Sequence, residues 1–220
     1  IRPYGQRVSA LGNPFIFVQI WRQSALLRAR QACSPWAIFD ITSNKDATLD
    51  AAFTTTLAGL LIEDSYTGTI THNNNLAITS DLIAHGATLV VADPSTFSLT
   101  VSGIVRNTGA VFQQTRPVNS ADVPFLEINN GGSVVKYRGV EIDTTGTGAN
   151  LGDVTTTIRV VDNTAGEYCT GHGSMSQPYV RRCYEITPTT DGPANVQLWS
   201  LLSSEGNGIN TNMLAVYRDV

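Results

Sequence analysis

The sequence predicts an all-β chain wound as a parallel β-solenoid (β-helix) of about 23 residues per coil, with an N-terminal capping helix or extended arm and a C-terminal β-rich unit. Three observations predict it. Gly86, Gly109 and Gly132 recur at a constant step of 23, and each opens a matched segment: Gly86-Ala87-Thr88-Leu89, Gly109-Ala110-Val111-Phe112 and Gly132-Ser133-Val134-Val135. The register extends backwards, pairing Leu76 with Leu99, Ile78 with Val101 and Thr79 with Ser102, while Leu82, Val105 and Ile128 recur at the same step. Charged residues make up only 15% of the chain, against about 25% in ordinary soluble domains, and the surface is left to Gly, Thr and Asn. Repetition at a fixed step marks a stacked, quasi-one-dimensional fold in which each unit buries its apolar side against its neighbours.

Along the chain, residues 1–36 read as an arm. An extended start is broken by Pro3, Gly5, Gly12 and Pro14, and the stretch from Val18 to Cys33 carries Ile20, Ala25, Leu26 and Leu27 among Arg22, Arg28 and Arg30. That stretch predicts a helix stopped by Pro35 and placed over the open first coil, whose core and backbone groups otherwise face water. Residues 37–165 read as the solenoid. Strands are predicted at 37–42, 57–62, 67–71, 76–80, 88–91, 98–101 and 111–114, then at 125–128, 134–137, 140–143 and 155–161, with breaks at Asp93-Pro94, Arg116-Pro117, the run 129–132 and the Gly-rich 144–152. Asn73-Asn74-Asn75 reads as a polar turn. Residues 166–220 lose the 23-residue register, gain Cys, Tyr and Pro, and hold alternating runs at 197–201 and 213–217, which predicts a β-rich unit closing the solenoid.

Within that last part, Tyr179-Val180-Arg181-Arg182-Cys183-Tyr184-Glu185-Ile186-Thr187-Pro188-Thr189-Thr190, Ala194-Asn195-Val196-Gln197-Leu198, Glu205-Gly206-Asn207-Gly208 and Ala215-Val216-Tyr217-Arg218 form a pattern over about 40 of the 220 residues. It resembles a C-terminal β-sandwich module of large secreted bacterial surface proteins, and the resemblance implies export and extracellular work without catalytic residues. The repeat region is similar to right-handed parallel β-helix proteins, which include adhesins, tailspikes and polysaccharide lyases.

Charge is unevenly spread. Residues 1–39 hold Arg2, Arg7, Arg22, Arg28 and Arg30 and no acid, whereas the remainder carries 9 basic and 18 acidic residues. An arm of +5 beside a body of −9 favours contact between arm and body, within the chain or between copies. The arginines are not interleaved with a base-reading motif, which argues against nucleic acid. No apolar run approaches the ~18–20 residues of a membrane-spanning helix; Phe15-Ile16-Phe17-Val18 is interrupted at Gln19 and Arg22. The start at Ile1 reads as a processed chain or a fragment. Cys169 and Cys183, 14 apart around a Gly-rich turn, suit a disulfide in an exported protein and leave Cys33 over. A metal site from Cys169, His172 and Cys183 is the competing idea, but it lacks a fourth ligand at convincing spacing.

No cofactor motif is present, and chemistry has one candidate cluster. Lys136 and Arg138 precede Glu141 and Asp143 by one short step, with Glu127 beside them or one coil earlier. Proton abstraction from an acidic sugar would need such carboxylates with a base. One step back stand Val118 and Ser120, however, so no acid ladder runs across coils, and charges flanking Gly139 equally suit a solvated turn. His85 corresponds to Thr108 and reads as a turn residue; His72 and His172 enter no motif. The expectation is a secreted, non-enzymatic structural protein that polymerises head to tail into an extracellular filament or surface layer. Its own copies are the main partner, met through Val8, Phe15, Phe17, Ile20, Trp21 and Arg22 of the arm. A polysaccharide-binding or polysaccharide-cleaving β-helix, or an adhesin domain, is the alternative, with a surface polysaccharide as the second partner class.

Overall fold

The computed structural model describes residues 5–7, 17–19, 36–40, 44–53, 55–130, 137–161 and 180–200. Strands β1 (Gly5–Arg7) and β2 (Phe17–Gln19) pair antiparallel, Gly5 opposite Gln19. Three strands per turn follow: β3 (Trp36–Phe39), β4 (Ala47–Leu49) and β5 (Thr56–Leu57), then β6 (Gly59–Ile62), β7 (Thr69–His72) and β8 (Leu76–Ile78). The third turn holds β9 (Leu82–Ala84), β10 (Thr88–Val91) and β11 (Leu99–Val101), and a fourth opens with β12 (Val105–Asn107) and β13 (Val111–Asn119). Beyond them come β14 (Asp122–Phe125), β15 (Asn129–Asn130), β16 (Val140–Asp143), β17 (Asn150–Val160), β18 (Arg182–Pro188) and β19 (Asn195–Leu198). The fold is the predicted β-solenoid: β3-β6-β9-β12, β4-β7-β10-β13 and β5-β8-β11-β15 make three parallel faces, about three turns in all.

Alternation along each short strand builds columns of like residues through the stack, because side chains on a strand point in and out with period two. Ala37, Leu60, Leu82 and Val105 form one inward column; Ala47, Ile70, Leu89 and Phe112 form another; Leu57, Ile78 and Val101 a third. Aromatic pairs fill the interior, Phe39 edge-on to Tyr66 at 5.2 Å between centroids and Phe112 tilted against Tyr137 at 5.4 Å. Each fully buried Leu, Ile or Phe contributes about 1.5–3 kcal/mol relative to exposure.

Outside the columns, turn side chains reach the layer above. Asp46 Oδ1 accepts from the Thr69 amide, Asn75 Oδ1 from Ser98 and Asp81 Oδ1 from Ile104, each at 2.9 Å and each one repeat on, and His85 Nδ1 meets Thr108 Oγ1 at 2.6 Å. These bonds satisfy amides that the corners leave out of the ladders. Gly109 lies close over the preceding corner, where an added Cβ would come within 2.3 Å of the His85 carbonyl oxygen; at Gly86 it would come within 2.8 Å of the Glu63 carbonyl oxygen.

The 23-residue step holds for Leu76 on Leu99, Leu82 on Val105 and Thr88 on Val111, but Thr69 pairs with Thr88, 19 residues on. The cause is turn length. The Asn73-Asn74-Asn75 turn takes three residues, whereas the turn at 92–98 takes seven. The third member of the predicted series departs further: Ile128 bridges antiparallel to Tyr137 instead of stacking on Val105, and Gly132 lies outside the described residues. Here β13 runs straight on for nine residues and receives β17 along its length, antiparallel, so parallel stacking stops on that face, while β15 still adds parallel to β11. The run 57–62, read as one strand, is two, split at Ala58 where the chain turns from one face to the next.

No helix occurs among the described residues. Val18 and Gln19, expected to begin the capping helix, lie in β2, and residues 20–35 fall outside the described set. Strand β2 nevertheless runs close to β3, which fixes that part of the arm at the first coil. The C-terminal unit expected after residue 165 is represented by β18 and β19. Strand β18 continues the face of β13 and β17, and β19 joins β14 and β16 in a three-stranded antiparallel sheet.

Candidate functional site

The β14-β16-β19 sheet lies at the last-coil end. Its registers place Asp122 opposite Asp143 and Asp143 opposite Asn195, with Pro124, Glu141 and Gln197 in the next row on the same face. The other face carries Val123, Ile142 and Val196 in one row and Phe125, Val140 and Leu198 in the other. The first two members of each apolar row are buried, whereas Val196 and Leu198 on β19 are 46% and 37% exposed. Strand β19 has no charged residue and no proline, and among the described residues it pairs only with β16. Solvent-facing edge strands are ordinarily blunted by charge or proline, as β18 is by Glu185 and Pro188.

At the end of this edge stands Trp199, 37% exposed. Its amide donates to the Gly139 carbonyl at 3.0 Å, continuing the β16–β19 pairing by one residue. The Arg138 guanidinium lies over its ring at 4.8 Å and pairs with Glu127 at 3.7 Å. Arg182 secures the arrangement from behind: it is buried, stacks on Tyr137 at 4.5 Å, and donates through Nη1 to the Arg138 and Trp199 carbonyls, each at 2.6 Å. The Tyr184 hydroxyl donates to the same Trp199 carbonyl. Arg116 donates to the Pro124 carbonyl and pairs with Asp93 at 3.3 Å, tying β14 to the third coil. Leu126, buried with φ +54°, turns the chain from β14 towards Glu127; its amide donates to Gln114 Oε1 at 2.6 Å, a bond that helps hold a conformation L side chains rarely adopt.

Beside Trp199 and Arg138 lies a cleft of about 100 Å³, lined also by Asp122, Phe125, Glu127 and Glu141 among others. The structure therefore brings Glu127, Arg138 and Glu141 of the sequence-derived cluster into one place. Asp143 lies two residues along the strand from Glu141, and Lys136 is outside the described residues. Asp143 is half-buried, and the Thr145 hydroxyl and amide donating to it hold its carboxyl below the usual range. A carboxylate stabilised in its charged form is suited to attracting cations rather than taking up a proton. No group of three or more metal-ligating side chains occurs among the described residues.

Comparisons with protein-family models, curated proteins and solved structures return no match. Function is thus argued from the geometry. Of the other sequence-derived residues, Phe17 pairs with Arg7 across the β1–β2 hairpin, and Cys183 sits in β18 opposite Arg159. Val8, Phe15, Ile20, Trp21, Arg22 and Cys169 lie outside the described residues. Sequence reasoning missed Trp199 and Arg182 as parts of this site. The Arg181-Arg182 pair was visible, but nothing in the sequence says which of the two turns inward.

Proposed function

We propose that the protein is a structural subunit whose copies join head to tail into an extracellular filament or surface layer, the N-terminal arm of one copy engaging the body of the next. The observation that carries this reading is the difference between the two ends. The β4-β7-β10-β13 face is covered at β13 by β17 and β18, while at the first coil β3, β4 and β5 are the outermost strands of the three faces and β2 lies beside β3. A rod with unlike ends and oppositely charged parts favours heterologous contacts, which propagate when they do not close into a ring. We further read the chain as exported, with Cys169 and Cys183 joined.

Deleting residues 1–21 tests the reading. Electron microscopy and light scattering are expected to lose polymers while far-ultraviolet circular dichroism keeps its β signal. Polymers that persist without the arm would sink it. The cleft favours a second reading, binding of a polysaccharide, because Trp199 and the Asp122 and Glu141 carboxylates offer a ring and acceptors for hydroxyl groups. Its volume is small beside the roughly 300–1,000 Å³ of ordinary ligand pockets, so this reading ranks second. Saccharide turnover lost in Glu141→Ala and Asp143→Ala would reverse the order.

A further inference from the structure

We propose that the outer edge of β19 is the acceptor for the arm of a second copy, which adds as an extra strand to the β14-β16-β19 sheet. This inference rests on the head-to-tail reading and names its docking surface. Strand addition draws affinity from main-chain hydrogen bonds and register from alternating side-chain pockets. The edge offers both. Its backbone has no second neighbour among the described residues, and the two apolar rows that end on Val196 and Leu198 stop there, uncovered. A fourth strand would complete both rows.

Charge selects the occupant. The polar face of the sheet carries Asp122, Glu141 and Asp143 beside the edge, so pairing β19 with β19 of another copy would bring two acidic faces together. The arm has the opposite character, with Arg2, Arg7 and Arg22 around the apolar run Phe15-Ile16-Phe17-Val18 and no acid before Asp40. Part of it is already extended in β1 and β2. Its position beside β3 at the first coil, with β19 at the last-coil end, also matches head-to-tail geometry. Attraction between unlike charges of this kind weakens with salt.

The test uses the full chain. Val196→Lys combined with Leu198→Lys places two cations on the edge at positions that are already exposed, so the β signal should be unchanged. The critical concentration for polymerisation should rise by about tenfold or more, since apolar cover is lost and like charge is introduced. A photo-crosslinking residue in place of Val196, in an equal mixture of ¹⁴N- and ¹⁵N-labelled protein, identifies the occupant directly. Isotopically mixed cross-links from position 196 to residues 8–22 are expected. Links to 195–199 of another copy, links to 213–217 of the same chain, or an unchanged critical concentration in the double variant would each overturn the acceptor assignment. The two readings fail separately: polymers surviving deletion of 1–21 sink the arm itself, whereas polymers lost on deletion with cross-links elsewhere sink only the β19 site.

Discussion

Replacing Gly109 by alanine measures how closely the coils approach at a corner. The new Cβ would stand 2.3 Å from the His85 carbonyl oxygen of the layer below. Ordinary contacts of this kind lie above about 3.0–3.4 Å, so the layers would have to part locally by about 0.7–1.1 Å. Overpacking of this sort costs about 1–3 kcal/mol. The backbone φ at Gly109 is not in the left-handed region, so alanine also restricts the unfolded chain and returns about 0.4–1 kcal/mol. The net expectation is a loss of about 1–2 kcal/mol, or about 2–8 °C in Tm for a chain of this size. Gly146 is the control, since an added Cβ there meets nothing within 4 Å, and Gly146→Ala should be neutral or slightly stabilising. Urea unfolding followed by circular dichroism, with both midpoint and slope fitted, compares the two. If Gly109→Ala is as stable as Gly146→Ala at unchanged slope, the close approach of the coils is wrong.

Arg182→Met keeps the aliphatic stem but removes the charged bonds to the Arg138 and Trp199 carbonyls; it should cost about 2–4 kcal/mol and shift the emission of Trp199, and an unchanged spectrum and midpoint would contradict the clamp. His72 is buried, its Nδ1 accepts from the Ala92 amide at 3.4 Å, and burial lowers its pKa below 6.5. Its folded pKa being depressed, the contribution of the neutral ring is complete above about pH 6.5 and falls as pH drops towards the folded value, by at most about 1.4 kcal/mol per pH unit. His72→Asn should flatten that part of the stability profile relative to the parent, and parallel profiles would count against it. Tyr66, whose hydroxyl donates to the Lys45 carbonyl at 2.5 Å, has its pKa pushed up to about 12 by burial. Its contribution is therefore intact below about pH 10 and is lost between there and about 12, and ultraviolet difference titration with Tyr66→Phe as reference checks it. Phe112→Ala, at a fully buried position, should cost about 3–5 kcal/mol by denaturant titration, and a loss below 1 kcal/mol would mean that the interior is not packed there.

What could be read in advance was the part of the chain where layers repeat both in composition and in turn length. Leu76, Ile78 and Leu82 find Leu99, Val101 and Val105 directly above them because the intervening corners match. The third repeat misleads because Ile128 keeps its spacing while its surroundings change. Arg116-Pro117 reads as a break, yet β13 runs through it to Asn119 because β17 pairs along its whole length, and that partner lies some 40 residues on. The three-residue strands 82–84 and 105–107 escaped notice, since so short a run carries almost no periodicity. Of the candidate site, the acids near Gly139 were visible, but their relation to Trp199 depends on a strand some 55 residues later, and only tertiary pairing supplies that link.

The vertical bonds from Asp46, Asn75 and Asp81 have an evolutionary corollary. Each lies at a different corner and accepts from a main-chain amide rather than a particular side chain, so the residue above can change without loss of the bond. Drift in one winding is thereby tolerated by the one beneath it, so long as the oxygen that reaches up is kept.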